Sequence, residues 1–406
     1  MDEAAVTRKL LYGQAITSLG DGLWFSMWAI FLTRIQHISP QAMGLAIGLG
    51  GAIGLLAATP LGILADRRGP RGVLAVLTAS RGVIMIGYIW VDSFWTLLVI
   101  ATFFAATQSS AAGVRVALIH HLITPHRRMR VLALSRVVQH IAYAAGAGLA
   151  AATLTVGTRP VFLGAVLLNS ISFFATAWLT LLVPATPPIP RAHPQRGLQA
   201  VRHLPFVAIM ATTAVLAMCW AMLSSGLPLW VLNDTAAPRW TSAVAVVASS
   251  LGIALFQVTV SERATRLVTA VRATRWSGLA LAAACGLFAL SAWPTTGGLA
   301  LLVLGLGMLA HITGELFYVA ARWGLSLKLM TKDAAGEYQG IAATTEASIQ
   351  ALGPALITLL ITDLHAAGWL ILGVLMLGAA APATTLTRKA LRGKPTRRTP
   401  PTIRTG

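Results

Sequence analysis

Long apolar runs alternate with short polar breaks along nearly the whole chain. Twelve runs can be marked off, six in each half. The first six cover Leu11–Leu32, Met43–Leu64, Val73–Val91, Phe94–Leu118, Val131–Val156 and Pro160–Val183. The second six cover Phe206–Leu232, Ser242–Val260, Trp276–Trp293, Gly298–Leu325, Gly340–Ile361 and Ala366–Leu386. Each approaches or exceeds the ~20 residues that an α-helix needs to cross the hydrocarbon of a bilayer. The pattern predicts an all-α membrane protein with twelve transmembrane helices. The break from Pro184 to Pro205 holds six prolines, three arginines and two histidines, and reads as an extended basic linker. The chain then divides into a six-helix half over 1–183, a linker over 184–205, a six-helix half over 206–388 and a basic tail over 389–406.

Composition agrees. Of 406 residues, 56% are hydrophobic and 11% charged, and the mean hydropathy is +0.74. A net charge of +19 raises the possibility of nucleic acid, but the placement of the charges argues against it. They fall in short clusters between apolar runs, the pattern that orients membrane helices. With the N-terminus inside, 24 of the 31 Lys and Arg residues lie on the cytoplasmic side. Only three, Arg34, Arg159 and Arg239, lie on the other. Both termini are therefore expected in the cytoplasm, with the basic tail against anionic lipid. No small-residue cleavage site follows the first run, so that run reads as a retained helix. Arginine far exceeds lysine and alanine is abundant, which points to a bacterial source and a bacterial (inner) cell membrane. Trp90, Trp95, Trp240 and Trp369 lie near run ends and read as interfacial anchors.

The halves look related. Ser18-x-Gly20-x-x-x-Trp24 recurs as Ser224-x-Gly226-x-x-x-Trp230. A single shift of about 207 positions aligns Gln108 with Glu315, Arg115 with Arg322, Gln139 with Glu346 and Gly146 with Gly353. Internal repeats of this kind mark transporters, with the substrate site between the repeats near the bilayer midplane.

Charged side chains inside a membrane are expensive and face a cavity or a partner. Asp21 sits near mid-depth of the first run, Glu315 in the tenth and Glu346 in the eleventh. The tenth run carries His311, Glu315, Tyr318 and Arg322 at helical spacing, which puts all four on one face. The fifth run carries Arg136, His140 and Tyr143 in the same way, flanked by Gln139, and the fourth carries Gln108 and Arg115. These stripes predict a polar cavity lined by both halves. Other readings stand beside that one. Arg115 and Arg322 could snorkel to a helix end. Arg81 could partner Asp21 or a backbone carbonyl, and Glu346 could pair with Arg136 or Arg322 as a structural element. Burial in an apolar cavity favours a protonated carboxyl, whereas a nearby Arg136, Arg322 or protonated His311 favours the carboxylate. That balance decides whether Glu315, Asp21 or Glu346 exchanges a proton. His311, one turn from Glu315, is either a relay or a satisfied structural histidine. No metal site is expected: His120 and His121 are adjacent and cannot share a face, and Cys219 and Cys285 lie in separate runs.

Between the second and third runs the chain reads Gly62-Ile63-Leu64-Ala65-Asp66-Arg67-Arg68-Gly69-Pro70-Arg71. This decapeptide closely resembles the loop signature of the major facilitator superfamily, glycine, then aspartate-arginine, then glycine-x-arginine. In the second half the corresponding positions are decayed to Val258 and Glu262-Arg263. Gly314-Glu315-Leu316, followed after a short loop by Gly336-Glu337-Tyr338-Gln339-Gly340, resembles bacterial drug:proton antiporters of that superfamily. Their helix-5 motif has a proline that Tyr143-Ala144-Ala145-Gly146-Ala147-Gly148 lacks, and Gly353-Pro354 looks like its displaced equivalent.

The resemblance implies two pseudo-symmetric six-helix bundles that rock around a central cavity. It implies a secondary transporter, working as a monomer, that exports a small organic molecule such as a drug or natural product in exchange for protons. It assigns proton coupling to the helix-10 glutamate, Glu315. It also makes Gly62, Asp66, Arg67, Gly69 and Arg71 a cytoplasmic gate beside the start of helix 11. An importer of the same fold, or a non-transporting membrane receptor, are the alternatives. No phosphate-binding loop, His-Glu-x-x-His or Gly-x-Ser-x-Gly is present, so neither an ATP-driven pump nor an enzyme is expected, and no cofactor is implied. Reporter fusions after Arg34, Arg159 and Arg239 are expected to signal the outside. A cytoplasmic signal at any of the three would contradict the topology.

Overall fold

The computed structural model describes residues 2–185, 199–238, 240–331 and 334–392. Most of the basic linker, Arg239 and the tail beyond Arg392 lie outside the described residues. In hydrocarbon every backbone N–H and C=O must be satisfied internally, and an apolar run long enough to cross does so as a helix. In the first half, α1 (Glu3–Ile30) runs on into a π-helical turn, Phe31–Ile35. α2 has two segments, Pro40–Leu55 and Ala58–Arg68, bent by 41°. Then come α3 (Pro70–Gly87), α4 (Phe94–Leu122), α5 (Pro125–Val156) and α6 (Arg159–Leu181). In the second half, α7 (Leu204–Asn233) is interrupted by a π-helical turn at Met222–Gly226. α8 (Thr241–Arg263), α9 (Leu267–Leu290) and α10 (Gly297–Leu329) follow.

The last long stretch, Ala335–Ala380, reverses at His365, whose φ of 47° and ψ of −125° are not helical. It is two helices: α11 over 335–364 and α12 over 366–380, prolonged by α13 (Ala383–Arg392). The hairpin is tight, because Gly368 sits directly on the Leu360 carbonyl. Twelve spans result, and an even number leaves both described ends on one side, called the terminus side below. Local chemistry sets the boundaries. Ser39 caps α2 ahead of Pro40, Ser93 and Thr96 form a capping box on α4, and Gly157 ends α5 at φ 64°. Gly69, at φ 88°, lets α2 turn directly into Pro70 of α3. α11 starts at Ala335, one turn earlier than the apolar run suggested, because Gly336, Glu337 and Tyr338 are buried against neighbouring elements.

The repeats show in the packing. Gly20 of α1 lies against Asn169 and Ser172 of α6, and Gly226 of α7 lies against Ile357 of α11 and Trp369 of α12. Gly146 of α5 is pressed on Leu19 and Leu23 of α1, and Gly353 of α11 on Ala221 of α7. Trp24 packs on Tyr88, just past the end of α3, at 4.7 Å, while Trp230 donates to the Phe288 carbonyl of α9 at 2.8 Å. One expectation is corrected. Trp90, Trp95 and Trp240 are exposed, but Trp369 is fully buried. It lies only four residues past the reversal, and its ring turns inward onto Trp230 and Phe288 in the space that Gly226 leaves open.

Small residues let helices approach where lipid offers no hydrophobic drive. A Cβ on Gly146 would lie 2.8 Å from the Leu23 nitrogen, whereas one on Gly148 meets nothing within 4 Å. Gly146→Val is expected to cost ~1–3 kcal/mol through overpacking and to lower the unfolding midpoint in detergent. Gly148→Val should leave it unchanged. Equal midpoints for both variants would contradict this packing.

Candidate functional site

The two halves are tied at mid-depth by a single carboxylate. Glu315 of α10 is 2% exposed and ion-pairs with Arg136 of α5, in the opposite half, at 2.5 Å. The same Oε1 accepts from Trp220 Nε1 of α7 at 2.8 Å, and Oε2 accepts from Ser249 Oγ of α8 at 3.1 Å. The Arg136 guanidinium lies 5.3 Å from the centre of the Trp220 ring. Arginine, indole and hydroxyl thus converge on one buried acid from three helices. Burial strengthens such bonds and makes a vacant partner costly.

Further acid and base groups sit within the membrane. Asp21 of α1 pairs with Arg81 of α3 at 3.2 Å, and that guanidinium stacks on Phe173 at 4.2 Å. Glu346 of α11 pairs with Arg322 of α10 and accepts from the Tyr318 hydroxyl at 2.7 Å. That choice resolves which arginine Glu346 takes, and Arg322 does not snorkel. Arg115 of α4 does not snorkel either. It donates to the Gln14 side chain and to the Leu10 carbonyl of α1, and no carboxylate pairs with it among the described residues. His311 donates through Nε2 to the Cys219 carbonyl of α7 at 2.8 Å, and its Nδ1 has no hydrogen-bond partner among the described residues.

A cavity of about 270 Å³ opens between these groups. Asp21, Arg81, Gln108, Arg115, Arg136 and Gln139 line it from the first half, and Arg322, Gln339 and Glu346 from the second. Glu315 and Tyr318 stand just behind the wall, reached through Arg136 and Glu346. His140 and Tyr143 lie outside this cavity, and Tyr143 is 38% exposed. Trp220 and Ser249 carry no stripe of polar neighbours, so periodicity gave no reason to single them out. No three His, Cys, Asp or Glu side chains cluster as a metal site among the described residues.

Toward the terminus side the halves close on each other. Gly62 of α2 crosses Gly336 of α11 backbone to backbone, and Gly340 sits on Ala58 and Thr59. Gly113 of α4 rests 3.0 Å from the Gln339 carbonyl, measured from an added Cβ. At that crossing Asp66 is 3% exposed and accepts from the Gly336 and Glu337 amides at 2.7 and 3.1 Å. A carboxylate there satisfies orphan donors and meets the positive end of the α11 dipole. Gly69 makes the turn, Arg71 donates to the Leu181 carbonyl at the end of α6, and Arg67 is exposed.

The fold and this interhelical cavity define a polytopic transporter built from two halves. The profile of the Major Facilitator Superfamily matches residues 10–354, and the chain belongs to that family. An uncharacterized transporter, YwbF of Bacillus subtilis (strain 168), is 37% identical over 93 residues, a stretch that spans 23% of either chain. Two solved structures share the fold. A bacterial homologue of the iron transporter ferroportin, in an outward-facing state, has a TM-score of 0.74 at 15% identity, over 95% of this chain and 99% of its own. The human organic anion transporter MFSD10 has a TM-score of 0.71 at 14% identity, over 94% of this chain and 100% of its own.

Asp66→Asn keeps the shape and removes the charge at the α11 start. It is expected to raise labelling of Ala112→Cys, inside the cavity, by a maleimide applied from the terminus side. Roughly a tenfold rise corresponds to ~1.4 kcal/mol of lost closure. An unchanged rate would leave Asp66 without a gating role.

Proposed function

We propose that this transporter exports a small organic molecule bearing an acidic group, in exchange for protons, from the cytoplasm of a bacterial cell. One observation carries the reading: the buried acid Glu315 is bonded to both halves at once. As a carboxylate it holds Arg136 of the first half by a charge-assisted bond, typically ~1.5–3 kcal/mol. A proton on Glu315 removes that charge and frees the halves to rock. Proton binding and conformational change are then linked by one pair. The other two intramembrane pairs, Asp21–Arg81 and Arg322–Glu346, each lie within a half. Asp21 and Glu346 face the cavity and serve as further proton sites. His311 holds the α7 backbone beside Glu315 and fits a structural role better than a relay.

Direction follows from closure and charge. The cross-half contacts named above lie from mid-depth to the terminus side, and the Lys and Arg distribution supports a cytoplasmic position for that side. The resting form is then open outward, where an acidic exterior loads the proton. Each elementary charge moved across 100 mV is worth ~2.3 kcal/mol, enough to drive uphill export once coupled. Substrate charge follows from Arg115. Its partners are neutral while the other intramembrane arginines are paired, so the cavity carries a net positive excess.

The test is uptake into inverted vesicles with an acidified interior, using a panel of fluorescent organic acids and organic cations. Acids such as carboxyfluorescein should accumulate and ethidium should not. Glu315→Gln should abolish pH-driven uptake while leaving downhill exchange. Wild-type proton-driven flux in both Glu315→Gln and Asp21→Asn would overturn the coupling assignment. Accumulation of cations alone would overturn the substrate class.

A further inference from the structure

The back of α1 and α5, the side away from the central cavity, carries a second hollow. It is a groove of about 640 Å³, and none of its lining residues is shared with that cavity. Its mouth lies at the terminus-side ends of both helices and holds three arginines. Arg8 is exposed and makes no ion pair or side-chain hydrogen bond among the described residues. Arg127 is 58% exposed and 3.5 Å from Glu3, and Arg130 is 64% exposed and 3.6 Å from Glu262 of α8. Exposed pairs of this kind hold weakly, so both guanidiniums can turn to a stronger anion.

Deeper in, the walls become apolar: Leu11 and Ala15 on α1, Val131, Leu134 and Val138 on α5. Ala15 lies seven residues past Arg8, and Val138 eight past Arg130. At 1.5 Å per residue the apolar floor therefore extends ~10–12 Å below the arginines, toward the membrane centre. Positive charge at the surface with an apolar channel beneath it is the shape of one phospholipid seen from the side. A soluble anion would use the arginines and leave the channel empty. A zwitterionic lipid would bring its own cation against three guanidiniums. Basic pockets between helices on the cytoplasmic side select anionic headgroups.

We propose that this groove seats an anionic phospholipid of the terminus-side leaflet, its phosphate among Arg8, Arg127 and Arg130 and one acyl chain between α1 and α5. The site stands apart from the transport reading and does not depend on it. Native mass spectrometry of the purified full chain tests it, with phosphatidylglycerol, phosphatidylethanolamine or inorganic phosphate added in turn. Phosphatidylglycerol adducts should exceed phosphatidylethanolamine adducts at least fivefold, and phosphate alone should give none. The Arg8→Gln/Arg127→Gln double variant should lose about fivefold in phosphatidylglycerol occupancy. Ala15→Trp, which fills the channel and keeps every charge, should lose as much. Arg272→Gln/Arg275→Gln, on exposed positions of α9, should bind like wild type. Equal adducts of both lipids, phosphate binding without lipid, or full occupancy in either groove variant would overturn the proposal. So would an equal loss in the α9 control.

Discussion

A charge in hydrocarbon persists only with a partner, and that constraint organises this protein. Four arginines lie within the spans, and each is held. Arg81 has Asp21, Arg136 has Glu315, Arg322 has Glu346, and Arg115 has the Gln14 amide and a backbone carbonyl. Leaving any partner uncompensated costs far more than the pair itself gains. The pairs therefore dictate which helices stay together. Arg81–Asp21 fixes α3 to α1, and Arg322–Glu346 fixes α10 to α11, so each bundle is internally pinned. Arg136–Glu315 is different in kind, because α5 and α10 belong to opposite bundles.

Among the ties across the halves, those at Asp66 and Glu315 differ in kind. Toward the terminus side, buried Asp66 accepts from backbone amides at the head of α11, where the helix dipole favours a negative charge. The crossing of Gly62 over Gly336 brings the backbones close enough for those bonds. The crossing itself is set by shape. At mid-depth, Glu315 is held by Arg136, Trp220 and Ser249, and the proposed proton would act on this one group that all three share. In the proposed mechanism the clasp at Asp66 stays charged while the one at Glu315 is discharged by a proton, the two parts that alternating access requires.

Much of the fold was legible in the sequence because lipid imposes a length rule that soluble cores do not. Even the reversal at His365 fell between two runs marked off by hydropathy alone. What stayed hidden were the interruptions inside spans: the α2 bend at 56–57 and the π turns at 31–35 and 222–226. No periodic mark in the hydropathy of those segments sets them apart from the helix on either side. Of the site, the charged members stood out singly against apolar runs, and Asp21–Arg81 is one of the two partnerings the sequence allows for Arg81. Which arginine Glu346 takes was not readable, since Arg136 and Arg322 both lie at plausible depth. Trp220 and Ser249 were invisible because a tryptophan or serine in a membrane run is ordinary until a carboxylate is seen beside it. Trp369 misled for the converse reason: its place near a run end resembled an anchor, and only the tight hairpin turns it inward.

The proton dependence of the distance between the halves is the most direct measurement of this coupling. Spin labels at His37→Cys and Ala236→Cys, with the buried Cys219 and Cys285 replaced, would report the far-side separation by pulsed dipolar spectroscopy in lipid. Wild-type distance distributions should differ between pH 5 and pH 8, and Glu315→Gln at pH 8 should match the wild type at pH 5. A Glu315→Gln distribution that still follows pH as the wild type does would contradict a proton-released clasp at Glu315.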